Sequence, residues 1–270
     1  MKKYTAFLIG CFYSFSAFSF EITSTIQEGA LIYGQLDKGE KLYMGSTEII
    51  PTKKGQFFFG LPQDANTLSL TLIQKNGVKE LKKFNVEKRK WQEEVVLGLQ
   101  PEKVTPSTKN SKRIQQENLL IKQARGEFNT SYFPTCFIRP VKNFKRISSP
   151  FGARRILNNI KKAGHSGVDY AAPIGTPLYA PADGVVALVH NDMFLSGKTL
   201  LINHGYGLFS SYSHLNKITV KTGDTVKKGN LIAEIGNTGR TTGPHLHYVI
   251  TWNGVRLDPE QQIKDFNCEK

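Results

Sequence analysis

The chain has 270 residues, 39% of them hydrophobic and 21% charged, a globular composition with room for one or two domains that excludes a fibrous or wholly disordered protein. Thirty-six basic residues against 22 acidic ones leave a net charge of +14, spread as +2 over residues 1–20, +4 over 21–136 and +8 over 137–270. So diffuse an excess favours polyanionic surroundings, whether nucleic acid, membrane surface or cell wall, without selecting among them.

Lys2 and Lys3 precede an apolar run from Ala6 to Phe20, with no acidic residue before Glu21. That is the pattern of a secretory signal peptide, and Ala17 and Ser19 satisfy the small-residue cleavage rule. Residues 1–19 are therefore expected to be removed on export. The run is too short and too rich in serine to span a bilayer, and no later stretch approaches the roughly 18 consecutive apolar residues of a membrane helix. Leu8-Ile9-Gly10-Cys11 also resembles a lipoprotein box that would place a lipid on Cys11, but little hydrophobic core precedes that cysteine and apolar residues follow it. The expected location is the periplasm or cell envelope, without stable membrane insertion, and export makes nucleic acid an improbable partner.

From Glu21 to about Val104, short β-like runs (Ala30–Gln35, Lys41–Met44, Gln56–Gly60, Leu68–Gln74 and Glu80–Val86) are parted by the turn signals Asp37-Lys38-Gly39, Lys54-Gly55 and Asn76-Gly77. Residues 20–104 are expected to form a small N-terminal β-sandwich. It holds no histidine, which suits binding or positioning rather than metal chemistry. Residues 105–135 change character: helix formers run without Gly or Pro from Ser107 to Gly126, predicting a largely solvated helical linker. From 136 to 270, runs at Gly184–His190, Thr199–Asn203, Leu208–His214, Leu231–Ile235 and His245–Trp252, with turns every eight to twelve positions, predict an antiparallel β-rich domain. The chain is thus expected to be mainly β.

All six histidines fall in this last part. His165-Ser166-Gly167-Val168-Asp169 has the form H-x-x-x-D, with glycine at its centre disfavouring a helix. In an extended chain, positions four apart share a face, so imidazole and carboxylate can converge on one ion. His245-Leu246-His247 enters a strand whose alternation puts His245, His247, Val249 and Thr251 on one face. A catalytic zinc takes three ligands from His, Asp or Glu and leaves a fourth position open, a count met by His165, Asp169 and one H-x-H histidine. H-E-x-x-H is absent, so an acid–base group must come from elsewhere. His214, in Ser213-His214-Leu215, and the spare H-x-H histidine are imidazoles that ordinarily titrate near neutrality. His190, at a strand end, and His204, in the turn Asn203-His204-Gly205-Tyr206-Gly207, are expected to be surface or turn histidines.

In this order, His165-x-x-x-Asp169, Ser213-His214-Leu215 and Gly243-Pro244-His245-Leu246-His247 resemble the lysostaphin/LytM-type zinc metallopeptidases, which cleave peptide cross-links of bacterial cell walls. The likeness runs from about Phe137 to Pro259, through Ser149-Pro150-Phe151-Gly152, Ala172-Pro173-Ile174-Gly175-Thr176-Pro177, Ala180-Pro181-Ala182-Asp183-Gly184 and Asn237-Thr238-Gly239. It implies one catalytic Zn²⁺ held by His165, Asp169 and His247, His214 and His245 as the catalytic pair, and peptidoglycan as substrate. The N-terminal β segment and helix are similar, more loosely, to two-domain envelope members of Gram-negative bacteria. A non-catalytic regulator of the same fold that activates an amidase would lack one or more ligands, and all five residues are present. Val220–Gly229 resembles the turn of a biotinyl or lipoyl carrier, but no lysine sits in a suitable tight hairpin.

If Cys11 leaves with the signal, Cys136 and Cys268 remain, an even count that an oxidising compartment permits to pair. A Cys136–Cys268 bridge would tie together the first and last segments of the C-terminal half. The N-terminal segment, without chemistry of its own, is expected either to tether the enzyme to anionic polymer or to lie over the groove and restrain it. A helix of some twenty residues reaches about 30 Å, enough for the second role. No feature of the sequence sets the oligomeric state or the bond cleaved.

Overall fold

The computed structural model describes residues 20–126 and 129–265. The expected signal peptide, the lipoprotein box and Cys268 lie outside these described residues.

The N-terminal part contains β1 (Phe20–Ile22), β2 (Leu31–Leu36), β3 (Lys41–Met44), β4 (Thr47–Ile49), β5 (Gln56–Gly60), β6 (Thr67–Ile73) and β7 (Lys79–Asn85). They form two sheets, ordered β1-β2-β5 and β4-β3-β6-β7. Along β6 the side chains alternate, Leu68, Leu70 and Leu72 inward and Ser69 and Thr71 outward, as in a sheet wetted on one face. On β5 the three consecutive phenylalanines are all buried. Phe57 stacks on Phe20 and Phe59, while Phe58, pointing the other way, packs against Tyr33, Phe133 and Tyr206. One contiguous apolar cluster therefore runs from Leu42 and Leu70 through β5 to Tyr248, Trp252 and Leu257.

Next come β8 (Glu93–Val96), a short α1 (Pro101–Val104) and α2 (Thr108–Arg125). The Ser107 side chain caps α2 by accepting the Asn110 N–H. The expected solvated linker is in fact docked. Both Glu117 carboxylate oxygens accept the Phe194 N–H (3.0 and 2.9 Å), Arg113 Nε donates to Glu117 (2.8 Å), and Arg113 also reaches Asp192. Its one buried side chain is Glu117, and Leu119 and Leu120 face solvent, so no clean amphipathic stripe announces the contact.

The C-terminal part comprises β9 (Arg146–Ser149), β10 (Arg154–Leu157), β11 (Ile160–Lys161), β12 (Val168–Ala171), β13 (Pro177–Tyr179), β14 (Gly184–Met193), β15 (Gly197–Asn203), β16 (Leu208–Ile218), β17 (Thr225–Val226), β18 (Leu231–Ile235), β19 (His245–Trp252), β20 (Val255–Leu257) and α3 (Pro259–Asp265). The main sheet runs β17-β14-β15-β16-β19-β12-β9, all neighbours antiparallel, with β18 on β16, β13 on β18 and β20 on β19. Separately, β8 pairs parallel with β10, Glu94 opposite Arg155, bringing a strand from before the helix to the edge of the histidine cluster.

Candidate metal centre and active-site groove

Strand register does most of the assembly. Asp169 on β12 lies opposite His247 on β19, and Ser213 on β16 lies opposite the same histidine from the other side. His165 precedes β12 and is pinned by its N–H to the Ala153 carbonyl (2.8 Å) and by its own carbonyl accepting the Gly152 N–H (2.9 Å). Between them Gly167 is obligatory: a Cβ there would stand 2.1 Å from the Tyr248 carbonyl oxygen. The glycine at the centre of H-x-x-x-D is what lets the chain pass so close to β19.

His165 Nε2, Asp169 Oδ1 and His247 Nδ1 converge. His247 Nδ1 is 2.7 Å from Asp169 Oδ1 and 3.0 Å from His165 Nε2, which lies 3.1 Å from Asp169 Oδ1. His165 Nδ1 is engaged outward, 2.9 Å from the Pro150 carbonyl and 2.8 Å from Ser149 Oγ, and His247 Nε2 is 3.4 Å from Ser166 Oγ. The Pro150 carbonyl can only accept, so Nδ1 of His165 carries the proton and Nε2 presents a lone pair inward. Two imidazoles and one carboxylate, each fixed from behind, form a donor set that fits a catalytic zinc.

The site continues behind Asp169. Arg155 donates through one terminal nitrogen to Asp169 Oδ2 (2.7 Å) and Ser149 Oγ (2.8 Å), and through Nε to Glu94 (3.2 Å), which also accepts from Ser149 Oγ (2.6 Å). Burial would push the Asp169 carboxyl up, but the adjacent His247 and His165 outweigh it and hold it well below the usual carboxylate range. Burial pulls His247 down to about 4 against the pull of Asp169.

His214 and His245 stand beside this cluster, their rings 4.7 Å apart between centroids. His214 Nδ1 donates to the Thr238 carbonyl (2.7 Å) and His245 Nδ1 to the Gly243 carbonyl (2.8 Å), so both Nε2 atoms are left as acceptors. Burial, then the neighbouring His245 and His247, pull His214 down to about 3. His214 also sits at φ 64°, a left-handed conformation costing about 1–2 kcal/mol for a residue with a Cβ. Plain alternation would turn it away from Ser213, yet Ser213 and His214 both line the same cavity; the departure from strand geometry is what allows two consecutive residues to do so.

The five expected residues share one cavity of about 790 Å³. Ser211, Ser213 and Val249 of β16 and β19 line it, and so do Val95 and Leu97 around β8 and Ile121 and Arg125 of α2. Glu94 and Arg155 carry no local signal in the sequence, because the pairing of β8 with β10 that unites them joins positions some sixty residues apart; Ser149 of β9 joins them through its side chain. His190 and His204 stay outside the groove. His190 is half-buried on β14, and its Nδ1 accepts the Asp192 N–H. His204 lies in the expected turn but is no surface residue: it is 1% exposed, with Nδ1 on the Asp183 carbonyl and Nε2 on Ser210 Oγ, both at 2.7 Å, so a turn that looked exposed in sequence is sealed by its own hydrogen bonds.

Residues 163–259 match the model of peptidase family M23. The chain is 43% identical over 126 residues to peptidoglycan DD-endopeptidase ShyC of Vibrio cholerae, covering 46% of this chain and 28% of that protein. It is 47% identical over 116 residues to ShyA of the same organism, covering 43% and 27%. The chain therefore spans less than a third of the length of these curated relatives. The crystal structure of a peptidase M23 candidate from Pseudomonas aeruginosa superposes with a TM-score of 0.66 at 28% identity, over 90% of this chain and 96% of that one. The H-x-x-x-D and H-x-H segments both lie inside residues 163–259, the region that matches peptidase family M23.

Proposed function

We propose that the chain is an exported zinc-dependent endopeptidase that hydrolyses peptide cross-links of bacterial peptidoglycan. The observation that carries this reading is the convergence of His165 Nε2, Asp169 Oδ1 and His247 Nδ1 within 4.8 Å of one another, with His214 and His245 lining the same groove. The names of the Vibrio cholerae relatives support the substrate class. A zinc ion held by the three would supply Lewis-acid chemistry, making water more acidic and polarising a peptide carbonyl. The protein does the rest. The antiparallel strands β16 and β19 give an extended peptide a flat bed, and Arg155 and Ser149 keep Asp169 and His165 aimed inward. With Nδ1 committed to a backbone carbonyl, His214 and His245 each offer Nε2 to take a proton from water and return it to the leaving amine.

Within this reading residues 1–19 are the signal, 20–104 and 105–135 a β part and helical linker that lie along the groove and limit access, and 136–270 the peptidase part. Cys136 and Cys268 form a disulfide tying that part together. The test combines zinc analysis with turnover on purified cell wall, the released muropeptides being identified by mass. Alanine at His165, Asp169 or His247 removes zinc and activity together. His214→Ala and His245→Ala keep the metal and lose about 10²-fold or more in turnover. Equal zinc loss in all five variants would overturn the division of roles, and intact wall after digestion by the zinc-loaded protein would overturn the function.

A further inference from the structure

Arg125 closes α2 with its side chain turned into the groove. One terminal nitrogen donates to Ser211 Oγ (3.2 Å), and Nε is buried with no hydrogen-bond partner. Among the described residues no carboxylate pairs with this guanidinium. Burial, and then the neighbouring cation Arg256 of β20, pull Arg125 down to about 10. Arg89 and Arg139, by contrast, pair with Asp258 and Glu260 within the fold. A cation sunk in a cavity beside a second cation, with a donor left over, is an unfavourable arrangement for the protein alone. It becomes favourable when an anion enters.

Register fixes where that anion would sit. Ser211 is opposite Val249 and Ser213 opposite His247, so the row occupied by Arg125 is two residues, about 7 Å, along the bed from the row holding His247. Arg256 is opposite Thr251, one step further on the same face of β19. We propose that Arg125, assisted by Arg256, is a carboxylate-binding subsite that takes a free carboxylate of the peptide being cut, a residue or two from the scissile bond. The proposal rests on the peptidase reading and narrows it to acidic peptides. A planar guanidinium with unused donors matches a two-oxygen carboxylate in shape as well as in charge.

The test uses the mature, zinc-loaded full chain and two synthetic cross-linked peptides with an N-methylated scissile amide, identical except that one carries free carboxylates and the other primary amides. Calorimetry is expected to show the acid form bound at least about tenfold more tightly by the wild type. Arg125→Gln is expected to bring the two peptides within about twofold while leaving the affinity for the amide form unchanged, and Arg125→Lys to keep part of the preference. Arg256→Gln, a change at an exposed side chain, lowers the preference without touching α2. Equal binding of acid and amide by the wild type overturns the proposal. So does an undiminished preference in both glutamine variants, which would leave Arg125 as a peg holding α2 on Ser211. Incubation with the unmethylated pair separates the two readings: a protein that prefers the acid form yet cuts neither peptide refutes the peptidase function and leaves the subsite standing.

Discussion

Arg155→Lys isolates the part of the proposed metal site that is geometric rather than electrostatic. Arg155 is 18% exposed and uses one terminal nitrogen for Asp169 Oδ2 and Ser149 Oγ and its Nε for Glu94. It thereby steadies Asp169 directly and His165 through Ser149. Lysine places the same charge in nearly the same volume, so the repulsion it exerts on a divalent ion changes little. Its single nitrogen cannot span the Asp169 side and the Glu94 side together, so at least one of the three contacts is lost. Losing an outer partner of a metal ligand costs about 10- to 100-fold in affinity, or roughly 1.4–2.7 kcal/mol, and the lysine variant is expected at the lower end because it retains one contact. Removing the charge outright, as in Arg155→Met, is a poorer test: the ion gains electrostatically while the ligands lose their bracing, and the two effects oppose each other. Competition with a chromogenic chelator at fixed pH measures the zinc affinity directly. A lysine variant binding zinc within about twofold of the wild type would refute the bracing role.

His204, lowered by burial to about 4 from its ordinary 6.5, is protonated in the unfolded chain before the folded one, so its contribution to stability is intact above about pH 6.5 and is lost as pH falls toward 4, at about 1.4 kcal/mol per pH unit. Thermal melts across that window are expected to fall less steeply for His204→Gln than for the wild type, and parallel curves would reject the assignment. Glu117→Gln trades a charge-assisted grip on the Phe194 N–H and Arg113 for a neutral one, weakening the docking of α2 by about 1–2 kcal/mol. Its α2 amides should exchange faster and its turnover of a small soluble peptide should rise; unchanged turnover with faster exchange would show that α2 does not restrain the groove. Thiol titration of protein folded in an oxidising compartment should find Cys136 and Cys268 unreactive, and two reactive thiols would end the disulfide assignment.

The sheet strands were legible because their alternation is strong. Lys41–Met44, Gln56–Gly60, Leu231–Ile235 and His245–Trp252 have the expected bounds, and the others shift by a residue or extend past a bulge. Four of the clustered positions, His165, Asp169, His245 and His247, were legible because H-x-x-x-D and H-x-H each put two donors at a spacing that a strand and its approach can use. What stayed hidden depends on contacts between distant segments. β8 reads as four unremarkable residues until Arg155 is placed opposite Glu94. Glu117 looks like any solvent-facing helix acid until Phe194 is seen beneath it. The turn at His204 has the composition of an exposed loop, and only its hydrogen bonds to the Asp183 carbonyl and to Ser210 reveal that it is closed. His214 faces the groove through a backbone angle that no residue preference foretells.

The unbroken apolar cluster has a consequence for how this architecture can change. Gly60 at the end of β5 leaves no room for a side chain: a Cβ there would lie 2.8 Å from Leu257 and 3.2 Å from Trp252. Phe58 is wedged against Phe133 and Tyr206 on the far side of the same strand. The front of the chain and the back of it are cut to each other's shape like two halves of a mould. Neither can be exchanged for a differently shaped counterpart without recarving the facing surface, so variation in the front half is constrained by packing even where it carries no chemistry.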